Sequence, residues 1–349
     1  MTPARRLVSH PIPRGCFVGA ICYVQLVNSL LLALLGALAA TNPPAAVSNF
    51  VAHTTGVPAK VPDPNDPVEK EYQKLLALDD AAQEEVDKWI RDDTAFREQG
   101  AGLGSATLRA RVEQRLKPVR EAYEDFLRRH PDHAPAHLAY GSFLHDTQDE
   151  EGSVAHWEKA RDLDPKNPAA WNNLANHYGH RSPVTKAFEY YAKAIELNPN
   201  EPVYYQNFAS TVYLFRHDAM EFYKIDEQQV FSKALELYRQ ALRLDTNNFV
   251  LACDLAQSYY GIKPVRTDEA LAAWEYALKV APNDTDREGV YLHLARFKLN
   301  AGRFNEARKN LDSVTNEVYA ELKRRLERNL DKQENGAKGT NAPAPSPIK

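Results

Sequence analysis

Along most of the chain apolar residues recur at i, i+3, i+4 and i+7, the spacing that lines one face of a helix, and alternation with period two is scarce. These positions themselves repeat. Trp157 and Tyr191, Ala160 and Ala194, Pro165 and Pro199, and Gly141 and Ala175 each lie 34 residues apart. After an insertion of 13 residues the same register continues through LELYRQALRLD (235–245), LAAWEYALKVAP (271–282) and LARFKLNAGRFNEARKNL (294–311). A repeat of this length is one supersecondary unit that buries its apolar face only by stacking on its neighbours.

The repeated columns read as helical hairpins. Small residues stand where two helices must approach closely: Gly141, Ala175, Ala209, Ala256 and Ala295, then Ser153, Ala187, Ala234, Ala270 and Ala307. Between them are bulky residues, Tyr140, Leu174, Phe208, Leu255 and Leu294 on first helices and Trp157, Tyr191, Tyr238, Trp274 and Leu311 on second helices. Pro165, Pro199 and Pro282 stop second helices at one phase, because Pro cannot continue the hydrogen-bond ladder. The expectation is an all-α protein with five units at 134–167, 168–201, 202–248 with the insertion, 249–284 and 288–320. Helices at 81–96 and 106–131, within an N-terminal helical region 68–133, form a degenerate half-repeat ahead of them. A charged helix at 316–331, apolar at Val318, Tyr319, Leu322, Leu326 and Leu330, caps the last hairpin, and 332–349 reads as a disordered tail.

These units resemble tetratricopeptide repeats, whose pattern W-x2-L-G-x2-Y, Ala, aromatic, Ala and Pro is met in the second copy by Trp171, Leu174, Ala175, Tyr178, Ala187, Tyr191, Ala194 and Pro199. Thr246 replaces the Pro in the third copy and Lys298 an aromatic in the fifth. The resemblance implies a right-handed α-α superhelix, a solenoid whose first helices line a concave binding surface. The register places Asn172, Asn173, Asn176, Gln206, Asn207, Ser210, Asp254 and Gln257 on that surface. Side-chain amides both donate and accept, so such a row suits an extended peptide backbone. Asn173 and Asn207 occupy equivalent positions, similar to the asparagine ladder of some peptide-binding members, although Asn there can equally bond within the solenoid. The cationic carboxylate clamp of other members is missing, since its positions hold Leu138, Ser142, Asn172, Asn176, Gln206 and Ser210.

The N-terminus follows a different pattern. Residues 15–59 carry no Asp, Glu, Lys or Arg and follow Arg5, Arg6 and Arg14, and the block at 30–35 precedes Ala37-Leu38-Ala39. This is the order of an export signal over 1–40, cleaved near Ala39 or Ala40, with a membrane anchor over 15–40 as the alternative. Either places the remainder outside the cytoplasm, periplasmic or secreted. The prolines of 41–67 read as a linker.

Composition narrows the function. With 43 basic and 47 acidic residues the net charge is −4, so there is no broad basic field and no nucleic-acid partner is expected. Three Cys, none in a CxxC pattern, give no disulfide scaffold. His130, His133 and His137, or His177 and His180, have spacings that could hold zinc, but the first group crosses Pro131 and Pro135 and His137 sits in a core column. GAGLGS (100–105) lacks the Lys of a phosphate loop, and there is no HExxH or GxSxG. Tyr190, Tyr191, Tyr204 and Tyr205 fall largely in core columns. We expect no catalytic residues, metal or cofactor. The reading is a scaffold that binds a protein segment, with the alternative of an accessory to envelope or carbohydrate processing that recognises glycan or an enzyme complex through the groove and the 212–231 insertion.

Overall fold

The structure is a computed structural model and describes residues 63, 65–98, 102, 105–181 and 183–340. The expected signal or anchor, nearly all of the linker, and residues 341–349 of the tail lie outside the described residues. Among the described residues all regular structure is helical, as expected for an all-α repeat protein. The chain divides into two compact units at Pro199 and Asn200.

In the first unit, α1 (Pro67–Glu98) packs on α2 (Ser105–Arg129). Tyr72, Leu75, Ala82 and Val86 of α1 are buried against Leu116, Val119, Tyr123 and Phe126 of α2. The helix expected at 81–96 therefore starts earlier, at Pro67. Pro suits a first turn, where its missing N–H has no partner to lose, and Asp66 Oδ1 accepts from Val68 N at 2.8 Å. Two hairpins follow: α3 (Ala134–Asp146) with α4 (Glu150–Leu163), and α5 (Pro168–His180) with α6 (Val184–Leu197).

The second unit begins with α7 (Pro202–Leu214), which packs on α9 (Glu227–Leu244), with the short α8 (Arg216–Tyr223) between them in sequence. This inserted helix lies against α7 and α9 with Ala219 fully buried. A left-handed residue, Lys224 (φ 57°), ends it, and a capping box of Asp226 and Gln229 starts α9. The remaining hairpins are α10 (Phe249–Ser258) with α11 (Thr267–Val280), and α12 (Asp284–Asn300) with α13 (Phe304–Asp312).

Every small residue of the two predicted columns is buried, and so are their bulky partners. Gly141 shows why. A Cβ there would lie 2.5 Å from Trp157 Cδ1 and 3.0 Å from the Ser153 carbonyl oxygen, so only a residue without a side chain admits the indole at this depth. Helix ends also keep one phase: α4, α6 and α11 stop two residues before Pro165, Pro199 and Pro282. Starts are fixed by Asn167, Asn248 and Asn283, whose side chains accept from backbone N–H groups of the first turn.

A 3-10 turn (Glu317–Tyr319) precedes the last helix, α14 (Ala320–Thr340), which packs on α12 and α13. The structure corrects the expected cap in two ways. Val318 is 78% exposed, because the 3-10 turn breaks the α-helical register that would have put it beside Leu326 and Leu330. The helix also runs past Asp331 into the stretch expected to be disordered, with Arg308 of α13 bonding both Asp331 and Glu334.

Candidate functional site

The polar residues predicted for the groove stand on first helices of both units. In the first unit, Asn172 is 3% exposed, so it belongs to the packed interior and not to an open face. The expectation that it shares an open face with Leu174 is corrected, because residues two apart on a helix point to nearly opposite sides. Its Nδ2 approaches Asn173 Oδ1 at 3.5 Å. Asn173 and Asn176 are half-buried. Asn173 Nδ2 donates to Ser142 Oγ at 3.3 Å, which ties α5 to α3, the first helix of the preceding hairpin. Asn176 Oδ1 accepts from the Tyr191 hydroxyl of α6 at 2.7 Å.

In the second unit, Gln206 Nε2 of α7 donates to Asp254 Oδ2 of α10 at 2.8 Å. Burial raises the Asp254 carboxyl above its ordinary range, and the Gln206 bond opposes that shift. Ser210 Oγ bonds the Gln206 carbonyl at 3.0 Å and the Tyr238 hydroxyl at 2.8 Å. Asn207 is half-buried, and its carbonyl accepts from Thr211 Oγ1. Gln257 of α10 is exposed.

The predicted residues thus fall into three kinds. Asn172 is inside. Asn173, Asn176, Gln206, Asn207, Ser210 and Asp254 are part-buried and hydrogen-bonded within their own unit. Gln257 faces solvent. An amide held at one end presents its other end in a fixed direction, which is how such a surface binds without first ordering itself. Asn176 keeps its Nδ2 donor outside the Tyr191 bond, and Gln206 keeps its Oε1 acceptor outside the Asp254 bond.

Two of the five histidines with metal-like spacing make structural bonds. His133 Nδ1 accepts from Ala136 N and caps α3. His137 Nε2 bonds the Pro131 carbonyl at 2.9 Å, and its Nδ1 lies 2.8 Å from His156 Nδ1 of α4. Burial, followed by the charge of His137, pushes His156 down to about 4, so this pair is neutral at pH 7. Among the described residues no group of three or more His, Cys, Asp and Glu side chains is placed to hold a metal ion. Tyr191 and Tyr204 are buried in the columns, and the inserted α8 carries Phe222 at the surface, edge-on to Tyr223 with centroids 4.8 Å apart.

Two features escaped the sequence reading. Asp79 of α1 is 4% exposed and accepts from the Tyr123 hydroxyl of α2 at 2.7 Å. Its carboxyl is pushed up to about 6, chiefly by burial, as is that of Asp146 near it, also to about 6. A cleft between α12 and α14, lined in part by His293, Arg296 and Arg325, has no counterpart among the motifs sought.

The tetratricopeptide repeat family model matches residues 151–202, the span of α4, α5 and α6 together with the start of α7. The chain carries tetratricopeptide repeats. The matched span contains the hairpin whose Trp171, Leu174, Ala175, Tyr178 and Tyr191 carry the repeat pattern, and the columns of this hairpin recur in the other four. No curated protein matches this tetratricopeptide repeat chain. Solved structures similar to it include YrrB, a tetratricopeptide repeat protein with an unusual peptide-binding site, at 16% identity over 56% of this chain and 91% of that one, with a TM-score of 0.42. MamA aligns at 20% identity over 61% of this chain and 98% of its own, with a TM-score of 0.42. PilF of Pseudomonas aeruginosa aligns at 16% identity over 74% and 99%, with a TM-score of 0.45. At these values the likeness bears on neither ligand nor partner.

Proposed function

We propose that this tetratricopeptide repeat chain is a non-enzymatic scaffold that binds extended protein segments through the polar faces of first helices within each of its two units, outside the cytoplasm. The observation that carries the reading is the half-fixed amide. Asn176 is held through Oδ1 by Tyr191, and Gln206 through Nε2 by Asp254. Each offers its second polar atom to a peptide backbone, which needs both donors and acceptors and imposes no side-chain sequence. The carbohydrate alternative calls for exposed rings: Tyr191 and Tyr204 are buried, Tyr190 and Tyr205 are half-buried, and Phe222 of α8 stands at the surface, so the reading rests on the amides and not on the rings. The location rests on the charge order of residues 1–59.

The test uses the full chain with a photoreactive side chain at Asn173 of the first unit or at Gln257 of the second, alone and with Asn176→Ala plus Gln206→Ala. The crosslinked protein is identified, and its crosslinked segment is then synthesised for titration. Binding of that peptide weakened at least about tenfold by the double substitution, with helical circular dichroism unchanged, is the expected result. Equal binding by both forms would remove the amide surface from the function. A fusion of residues 1–62 to a reporter active only after export tests the location.

A further inference from the structure

The second unit ends in a cleft between α12, the first helix of the last hairpin, and the capping helix α14, with a volume of about 60 Å³. Its polar wall consists of His293, Arg296, Arg325 and Asn329. Its apolar wall is Leu292, Leu322 and Leu326, and Leu322 is 42% exposed although it sits beside a buried core.

The two arginines differ from several cations on the same helices. Among these, Arg287 pairs with Asp284, Arg324 and Arg328 with Glu321, and Lys323 with Glu327. Arg296 and Arg325 make no ion pair with any carboxylate among the described residues, and no acidic side chain lines the cleft. Arg296 is nevertheless held in place, with its guanidinium 5.3 Å from the centre of the Tyr260 ring. The same Tyr260 hydroxyl lies 2.8 Å from His293 Nδ1, while the imidazole stacks on Trp274. The positive wall is therefore partly built before any ligand arrives. Two guanidinium groups without a counter-charge suit a carboxylate, which they bind through parallel N–H bonds. An inorganic anion would gain nothing from the leucines.

We propose that this cleft binds an acidic peptide segment in which a Glu or Asp side chain lies beside an aliphatic one, the carboxylate on Arg296 and Arg325 and the aliphatic side chain against Leu292, Leu322 and Leu326. This goes beyond the amide surfaces proposed above, since it involves different residues and a charged ligand group. It stands or falls separately from them.

The probe is a fluorescent peptide, Leu-Glu-Leu-Glu-Leu with blocked ends, compared with its Leu-Gln-Leu-Gln-Leu counterpart by anisotropy against the full-length chain. The acidic peptide is expected to bind at least about tenfold more tightly, and that margin is expected to vanish in Arg296→Gln plus Arg325→Gln. Arg328→Gln removes the same kind of charge outside the cleft and is expected to keep the margin, and Leu322→Ser is expected to weaken both peptides alike. Retention of the margin in the double variant, or its loss in Arg328→Gln, would overturn the proposal. So would preference for the Gln peptide, or displacement of the acidic peptide by inorganic phosphate at equal concentration. Asn176→Ala plus Gln206→Ala leaves this binding unchanged if the two surfaces are independent, and its failure in the crosslinking test leaves the cleft untouched.

Discussion

The Trp274 indole and the His293 imidazole lie face to face, their centroids 4.0 Å apart and their planes within 3°. The stack joins α11 to α12, and it places an ionisable ring where burial, reinforced by the nearby Arg296, drives it down from 6.5 to about 4. At neutral pH the ring is uncharged.

A lowered histidine makes stability depend on pH with a definite sign. Between about 6.5 and about 4 the unfolded chain takes up a proton that the folded chain refuses, so folding weakens as the pH falls through that window. The loss contributed by His293 is at most about 3 kcal/mol, reached below its folded value. His156 pushes in the same direction. Urea unfolding at pH 7 and pH 4.5 should show a smaller drop in midpoint for His293→Gln than for the parent chain, and an identical drop would mean that the ring titrates normally.

Asp79 predicts the reverse. Its carboxyl is raised to about 6, so between about 6 and 4 the folded chain holds a proton that the unfolded chain has lost. This contribution strengthens folding as the pH falls through the window. The Tyr123 hydroxyl, 2.7 Å away, stabilises the charged form. Tyr123→Phe should therefore cost about 1.5–3 kcal/mol at pH 7.5, where the carboxylate is charged and buried, and clearly less at pH 5. A penalty independent of pH would show that the lost hydroxyl matters through packing alone.

The two columns of the repeat were legible in the sequence because they follow from geometry that one turn of helix fixes. Gly141 against Trp157 and Ala256 near Trp274 needed only the spacing of small and bulky residues. The surroundings of the candidate residues were less legible. Asn172 and Asn173 are consecutive in α5, yet one is buried and the other half-buried, since successive side chains on a helix point about 100° apart. The bond between Gln206 and Asp254 spans a separation of 48 residues that no local pattern encodes. Asp79 and Tyr123 lie 44 apart, in helices whose apolar residues are interrupted by charges. Arg296 and Arg325 meet only because α14 folds back along α12.

The small-residue column can be tested at its tightest point. Gly141→Ala gains helix propensity of about 1 kcal/mol, but its methyl would stand 2.5 Å from Trp157 Cδ1, and the indole is buried with no room to withdraw. Overpacking of about 1–3 kcal/mol should outweigh that gain. The expected result is a lower urea midpoint, partly restored by Trp157→Phe, whose smaller ring vacates the methyl's position. A stabilised Gly141→Ala would show that α3 and α4 can part without cost.

Tyr191 serves both the fold and the proposed amide surface, and the two roles separate on removal of its hydroxyl. The ring is buried against α5, while the hydroxyl reaches Asn176 Oδ1 at 2.7 Å at the half-exposed edge. Tyr191→Phe keeps the ring and should cost only about 1 kcal/mol of stability. Asn176 then loses the bond that fixes its amide, so a bound segment must order the side chain itself, at about 0.5–1.5 kcal/mol. Affinity for the crosslinked peptide should fall a few-fold in Tyr191→Phe and no further when Asn176→Ala is added, because the two substitutions remove one device. Fully additive losses would mean that Asn176 binds in whatever orientation the ligand imposes, and the fixed amide would no longer explain recognition.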